Sequence, residues 1–203
     1  MDKSQQRSES LTQVIASSGS FQIELVEHAG FNDNETLIKV SESLAKEYGP
    51  AARLTENTIQ KYFNRKGTLP FIARDQGEIV GYMIGVPLEM LSREPWARLD
   101  ANFNKGNTIY TYAFVVEKDS KGTGCAKILK RVFLNQTKKQ ENILYVTGHV
   151  REGIAARFSG SVSIIDRIDN WQGTGKIFEY YRRNLDPEEI YISRTNTPNE
   201  SDV

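Results

Sequence analysis

The sequence predicts one α/β domain in which a central, mostly antiparallel sheet is flanked by helices. Its 203 residues match one ordinary domain with tails and can bury an apolar core. Several runs alternate apolar and polar residues as half-buried strands do, and apolar residues between them recur at helical spacing. In the centre, strand, helix and strand follow one another between Ile109 and Val150, which predicts a βαβ unit.

Composition argues against several classes of protein. Lys plus Arg and Asp plus Glu each number 26, so no net field attracts nucleic acid or an anionic membrane. The first twenty residues hold no apolar core of signal-peptide length, and no apolar run approaches the roughly 18 residues that span a bilayer. We therefore expect a soluble, cytoplasmic protein. The sequence has one cysteine, Cys125, and two histidines, His28 and His149. It therefore predicts neither a disulfide nor a metal site.

Two polar tails are predicted around the folded domain. Residues 1–20 are rich in Ser and Gln, and residues 186–203 end in a polar run. Both have the composition of disordered segments. Residues 21–185 are therefore expected to form the domain.

The first half of that domain begins with a strand over Phe21–Val26. A helix through Leu37–Tyr48 follows, with Asn34 as its expected cap, and Thr55 is expected to cap a second, short helix. The next two β-rich runs are separated by a turn-like Asp75, Gln76 and Gly77, which predicts a hairpin. Those two runs are Leu69–Arg74 and Glu78–Val86.

The second half starts after an irregular segment, residues 88–107, which is long enough to form a lid or a wall around Trp96 but could equally be structural padding. Strands and helices then alternate by the same criteria. The elements expected are a strand over Ile109–Val116, a helix over Ala126–Thr137, a strand over Ile143–Val150, a short helix within Arg151–Ser159, and strands over Val162–Ile168 and Lys176–Arg182. The predicted order is βααβββαβαββ.

A glycine-containing loop between the strongest strand and its helix carries the clearest chemical signal. A helix N-terminus has amide hydrogens without intrahelical partners and a partial positive charge, so it binds phosphate when small residues leave the approach open. A strand-to-helix turn alone would also explain a glycine pair. The loop reads Lys121, Gly122, Thr123, Gly124, Cys125, Ala126 and Lys127.

This loop resembles motif A of the GCN5-related N-acetyltransferases (GNAT), in which a basic or amide residue is followed by Gly and then by Gly or Ala. Lys121, Gly124 and Ala126 occupy those positions, although Lys121 lacks the guanidinium fork of the usual arginine. Other phosphate motifs do not match. GxGxxG would need glycine where Lys127 stands, and residues 173–176 lack the upstream glycine of a P-loop.

The resemblance implies a fold, a cofactor and an activity. It implies that the motif strand and the next strand splay apart and that acetyl-CoA lies between them. The pyrophosphate would bind the loop from Lys121 to Lys127, and the backbone of Phe114, Val115 and Val116 would hold the pantetheine arm and the thioester carbonyl. The implied reaction is direct attack by an amine, with a small molecule, an amino acid or a peptide as acceptor. The oligomeric state is left open between monomer and homodimer.

One expected catalytic group is missing from the sequence. The family's later segment usually carries an Asn and, seven positions on, a Tyr that protonates the departing thiolate, where this chain has Arg151 and Phe158. His149, Tyr112 and Glu89 are the candidate proton handlers. A non-catalytic acyl-CoA sensor, and an interaction domain that keeps only the fold, therefore remain alternatives. Cys125 at a helix start could be a nucleophile, but such a residue is more often core-facing.

Overall fold

Eight strands form one open sheet in the computed structural model, which describes residues 8–117, 120 and 122–185. The sheet order is β1-β2-β3-β4-β5-β6-β8-β7. Only β5 and β6 are parallel, which agrees with the predicted mostly antiparallel sheet. The strands are β1 Leu11–Ser18, β2 Phe21–His28, β3 Leu69–Asp75, β4 Glu78–Pro87, β5 Thr108–Val116, β6 Tyr145–Arg151, β7 Val162–Ile168 and β8 Phe178–Asn184.

Helices cover both faces of this sheet. They are α1 Phe31–Tyr48, α2 Glu56–Tyr62, α3 Pro95–Leu99 and α4 Cys125–Lys138. The first three contribute to one apolar core, around the fully buried Leu37 and Ile59. Helix α4 builds the other core with Leu129 and Phe133. Within the described ranges, no helix has the length and apolar character needed to cross a membrane.

Helix α4 packs unusually close to β4. A Cβ atom built on Gly85 would lie 2.6 Å from Cε2 of Phe133 and 2.8 Å from Cγ2 of Ile109. Such distances are incompatible with normal packing, so glycine is required where the helix crosses the strand. This contact fixes α4 against β4, the strand that pairs with β5 in the sheet.

Helix starts were predicted with mixed success. Thr55 caps α2 as expected, and its side chain and that of Thr58 each accept a hydrogen bond from the other residue's backbone amide. Asn34 was the wrong cap for α1, because the helix already begins at Phe31. The expected helix after β6 is reduced to one 3-10 turn, Ala155–Arg157.

The prediction that residues 1–20 form a disordered tail is wrong for Leu11–Ser18, which pairs with β2 as the edge strand β1. Ile15 and Ala16 pack against the core beneath α4, whereas Leu11 and Val14 are 42% and 51% exposed. The folded unit therefore starts before residue 21. The predicted tail 186–203 lies outside the described residues.

Candidate active site

Strands β5 and β6 pair only at their beginnings and then diverge. Their parallel register runs from Thr108↔Tyr145 to Tyr110↔Thr147 and then stops, although both strands continue. On its other edge, β5 stays paired with β4 as far as Val116. The later part of β5 therefore has an unpaired edge that faces the gap, and this is the splay that the family resemblance implied.

A β-bulge lies in β5 at the same level. Ile84 pairs with Ala113 and its neighbour Gly85 pairs with Thr111, so Tyr112 has no partner in β4. A bulge of this kind frees a backbone group from the ladder and redirects the side chains around it. The freed backbone lies beside the gap between β5 and β6.

The gap opens into a cavity of about 380 Å³. This volume falls in the range of small-molecule sites. Its walls come from both faces of the sheet and are mainly aromatic and aliphatic. They are Leu44, Tyr48, Ala51, Ala52, Tyr62, Met83, Leu91, Glu94, Trp96, Tyr110, Thr111, Tyr112, Ala113, Phe114, Lys130, His149, Val150, Ile154, Phe158, Trp171, Gln172 and Tyr181.

The N-terminus of α4 is open for a ligand. Gly122 and Gly124 have φ values of 91° and 88°, in the left-handed region that favours glycine, and a Cβ atom on either would meet nothing within 4 Å. Thr123 Oγ1 accepts the amide of Cys125 at 3.4 Å. The amides of Ala126 and Lys127 have no hydrogen-bond partner among the described residues. An accessible helix N-terminus with free amides fits a phosphate group.

His149 lies in an aromatic box beside the cavity. Its ring stacks on Trp171 at 3.8 Å and on Tyr180 at 4.7 Å, and Trp96 meets its edge at 4.7 Å. Nδ1 is 2.9 Å from Tyr110 Oη, whereas Nε2 is buried without a partner among the described residues. Burial lowers the pKa of His149 to about 3, so the imidazole is neutral near pH 7.

Comparison with solved structures then decides the fold. The ribosomal-protein-S18-alanine N-acetyltransferase of Escherichia coli superposes with a TM-score of 0.58 at 13% identity, covering 82% of this chain and 94% of its own. Ard1 from Thermoplasma volcanium gives 0.58 at 16% identity, covering 81% and 97%. The chain has the GNAT fold.

A third match shows that this fold serves more than one chemistry. The GNAT-like decarboxylase GphF in complex with isobutyryl-CoA superposes with a TM-score of 0.55 at 13% identity, covering 81% of this chain and 99% of its own. No family model matches the sequence. No curated protein matches it either. The activity must therefore be argued from the site rather than from the GNAT fold.

The residues predicted for the cofactor fall into two groups on this fold. Phe114 lines the cavity, whereas Val115 and Val116 are buried at the end of β5 and do not. Gly122, Thr123 and Gly124 with the first turn of α4 form the open loop. Lys121, the basic residue of the motif, lies outside the described residues.

Cys125 is a core residue and not an activated nucleophile. It is 2% exposed and belongs to the apolar core beneath α4. Burial, reinforced by the carboxylate of Asp75, raises the pKa of Cys125 to about 11. A neutral, enclosed thiol at this position supports the core-facing interpretation.

The predicted proton handlers are only partly brought together. Tyr112 lines the cavity and stacks on Tyr62 at 3.9 Å, and His149 lines it as well. Glu89 does not line it, because its carboxylate turns away and accepts the amide of Gly106 at 3.0 Å. The structure does not bring Glu89 to the cavity wall, and its role as a proton handler stays a prediction.

Phe158 lines the cavity, and an ammonium group lies beside it. Nζ of Lys130 is 3.4 Å from the centre of the Phe158 ring, a close cation–π contact. Burial and the nearby charge of Arg183 lower the pKa of Lys130 to about 8. The cavity wall thus has a proton donor, Lys130, beside the position where Phe158 replaces the family's tyrosine.

Sequence reasoning missed Lys130, Glu94 and Trp171 as site residues. Lys130 lies six positions after Gly124, which is a little over one and a half turns of helix. That spacing could have pointed to it. Glu94 and Trp171 lie in irregular segments, and no periodic signal places them. The described residues contain no group of three or more His, Cys, Asp or Glu that could hold a metal ion.

Proposed function

We propose that the protein binds an acyl-CoA, acetyl-CoA in the first instance, and transfers the acyl group to an amine. One observation carries the proposal: the gap between β5 and β6 opens into a cavity, and α4, the helix that starts at the open glycine loop, contributes to its wall. Lys130 of α4 lines the cavity, and about 7.5 Å of helix rise separates it from Cys125. A phosphate at the helix start and a reacting group in the gap can therefore belong to one extended molecule.

The residues around the gap fit such a ligand. The free amides of Ala126 and Lys127 would hold the pyrophosphate, with Gly122 and Gly124 leaving the approach open. The unpaired edge of β5 would bind the pantetheine amides as a strand does. The bulge at Tyr112 would supply a backbone donor to the thioester oxygen, where negative charge develops during acyl transfer.

Bound acetyl-CoA supplies a thioester as the acyl donor. The amine nitrogen forms the new C–N bond while the C–S bond breaks, one proton leaves the nitrogen, and one reaches the sulfur. We assign that second proton to Nζ of Lys130, because a pKa of about 8 is close to that of an ordinary thiol, about 8.5. Transfer between groups of similar pKa is nearly balanced in free energy and efficient near neutral pH.

The proton on the amine needs a different acceptor. A pKa of about 3 makes His149 a poor base at neutral pH, and its Nε2 atom is closed off by the surrounding rings. The Glu94 carboxylate lines the cavity and makes no hydrogen bond or ion pair among the described residues. We assign to Glu94 the binding of the ammonium and the uptake of its first proton, directly or through water, which leaves the neutral amine that attacks. The second proton, lost from nitrogen as the amide forms, passes to solvent water.

A thermal melt tests cofactor binding. A ligand at about 100 times its dissociation constant adds roughly 2.7 kcal/mol to the free energy of unfolding, which corresponds to about 5–10 °C for a chain of this size. We expect such a shift with acetyl-CoA and with CoA, and none with acetate. Release of free thiol in the presence of an amine panel then tests transfer. A melt that acetyl-CoA leaves unchanged would overturn the proposal.

A second candidate is a non-catalytic acyl-CoA sensor. It is favoured by one observation, the presence of Phe158, which has no proton to donate, in the cavity wall. The two functions differ in a measurable way. A sensor would show the acetyl-CoA shift but release no thiol with any amine, whereas the transferase releases thiol in proportion to the amide formed.

A further inference from the structure

The half of the cavity that lies on the α1 face of the sheet is enclosed by aromatic rings. Trp96 is 4.9 Å from Tyr110, and Tyr62 stacks on Tyr112 at 3.9 Å. Trp171 completes the wall, 6.2 Å from Trp96. These rings come from segments that are far apart in the sequence, and together they give a flat-walled apolar slot that suits an aromatic group.

One acidic side chain faces this slot. Among the described residues that line the cavity, Glu94 alone carries a carboxylate, and no other side chain neutralises it. The negative charge of Glu94 acts on the side chains of the slot. The pKa of Tyr112 is raised by burial first, then by the hydrogen bond with Tyr62, and also by the Glu94 carboxylate. A free carboxylate beside aromatic faces attracts a cation twice, through the ion pair and through the ring quadrupoles.

The slot offers nothing to an anion. No arginine lines the cavity among the described residues, and the one lysine that does, Lys130, belongs to α4 on the opposite face of the sheet. A ligand carboxylate or phosphate placed near Glu94 would be repelled by its negative charge. It would also lose its hydrating water without gaining a hydrogen-bond donor in exchange. The charge pattern therefore selects against amino acids as acceptors.

We propose that the acceptor is a primary amine carried on an aromatic group without a carboxylate or phosphate, that is, an arylalkylamine. Its ammonium lies against Glu94, and its ring lies in the cavity against the aromatic wall to which Trp96, Tyr112 and Trp171 contribute. This inference rests on the proposed acyl transfer for the fate of the amine. The binding of the amine itself does not depend on that transfer and can be tested separately.

Tryptophan fluorescence tests the binding directly. The sequence contains two tryptophans, Trp96 and Trp171, and both line the cavity, so the emission of the protein reports its occupancy. We would titrate the protein without acetyl-CoA with 2-phenylethylamine and with phenylalanine, which differ by one carboxylate. We expect saturable binding of the amine and binding of the amino acid weaker by about 10-fold or more, which is 1.4 kcal/mol.

Glu94→Gln provides the residue-specific arm. The Glu94 side chain makes no capping hydrogen bond to α3, so the change should leave the fold and the melt intact. We expect it to weaken the binding of 2-phenylethylamine about 10-fold and to reduce the discrimination against phenylalanine. Glu27→Gln is the matched control, since Glu27 is exposed on β2 and outside the cavity. It should bind the amine as the wild type does.

Failure of the inference and failure of the proposed function give different results. Thiol release with amino acids, polyamines or peptides but not with arylalkylamines would overturn the inference and leave acyl transfer in place. Binding of 2-phenylethylamine without any effect of acetyl-CoA on the melt would support the inference and overturn the transferase. No fluorescence change with the amine, or equal affinity in Glu94→Gln, would overturn the inference outright.

Discussion

Nζ of Lys130 lies 3.4 Å from the centre of the Phe158 ring, so a cation occupies the space beside a residue that cannot donate a proton. The ring is also flanked by Arg183, whose Cζ atom is 5.7 Å from its centre. Two positive charges beside one ring favour loss of a proton from the more acidic of them. Lysine is that residue, because guanidinium groups keep their proton under all ordinary conditions.

Lys130→Met should lower kcat for thiol release by about 100-fold, the contribution expected of a positioned general acid. Methionine retains much of the side-chain length but has no proton to give. In the wild type, the acid must be protonated, so kcat should fall as the pH rises through about 8. Steady-state kinetics between pH 6 and 10 would show this fall in the wild type and its loss in Lys130→Met.

A second substitution separates proton donation from packing. Adding Phe158→Tyr to Lys130→Met places a hydroxyl in the cavity wall at the position of the missing acid, and it should restore part of kcat. The single variant Phe158→Tyr serves as the control for any effect on acetyl-CoA affinity. If the double variant is no faster than Lys130→Met, and the pH profiles of kcat for the wild type and Lys130→Met coincide, Lys130 is not the acid.

Gly124→Glu should weaken acetyl-CoA binding by at least about 30-fold, or ~2 kcal/mol. The new side chain fills the approach to the amides of α4 and adds a charge of the same sign as the pyrophosphate. Isothermal titration gives the dissociation constant. Gly67→Glu is a close control, because Gly67 is exposed, has φ of 90° and lies in the loop before β3. Equal affinities in the two variants would remove the pyrophosphate from this loop.

The glycine loop before α4 and the sheet could be predicted because their signals are local. Gly122 and Gly124 need left-handed backbone, and strong β and helix patterns stand on either side of them, so sequence spacing fixes the arrangement. Strand β1 was missed for the opposite reason. The burial of β1 along this edge does not alternate, because Ile15 and Ala16 both pack on the core while Val14 is half exposed, so a period of two does not reveal it.

The acceptor side of the cavity could not be predicted, since it is assembled from distant segments. Tyr62 meets Tyr112 across fifty residues of chain, and Trp171 reaches His149 from a turn between strands. No period in the sequence relates such pairs. Segment 88–107 was predicted to be a lid, a wall around Trp96 or structural padding, and Glu89 rather than Glu94 was named as its candidate carboxylate. Glu89 satisfies a backbone amide, whereas Glu94 stays free.

Asp100→Asn should reduce the free energy of unfolding by about 3 kcal/mol, because it leaves the partly buried guanidinium of Arg182 without its ion pair. The carboxylate accepts bonds from Tyr180 Oη at 2.6 Å and Arg182 Nη2 at 2.8 Å. Burial alone would raise the pKa of Asp100, but these donors outweigh it and the pKa is lowered. Urea denaturation measures the loss.

The exposed pair Glu42–Arg53 provides the reference for that change. Both of its side chains are more than half exposed, so Glu42→Gln should cost no more than about 0.5 kcal/mol. Tyr180→Phe should fall between the two at about 1–2 kcal/mol, since it removes one donor and keeps the ring. If Asp100→Asn were as stable as Glu42→Gln, the tie between segment 88–107 and β8 would contribute nothing.

His149 should make the protein less stable in acid. Its pKa is about 3 in the folded protein and about 6.5 in the unfolded chain. Between these two pH values the unfolded chain therefore binds a proton at His149 that the folded protein does not bind. The free energy of unfolding therefore falls by roughly 1.4 kcal/mol for each pH unit from about 6.5 down to 3. At pH 4.5 this amounts to roughly 3 kcal/mol.

His149→Phe keeps a ring between Trp171 and Tyr180 but removes the titrating group. Urea denaturation at pH 4.5 and 7.5 should show a smaller loss for this variant than for the wild type, by roughly 3 kcal/mol. Substitution of the other histidine, His28→Gln, should leave the slope that His149 produces in place. Parallel curves for His149→Phe and the wild type would mean that the imidazole is not held neutral, and the choice of Glu94 over His149 as the base would lose its physical ground.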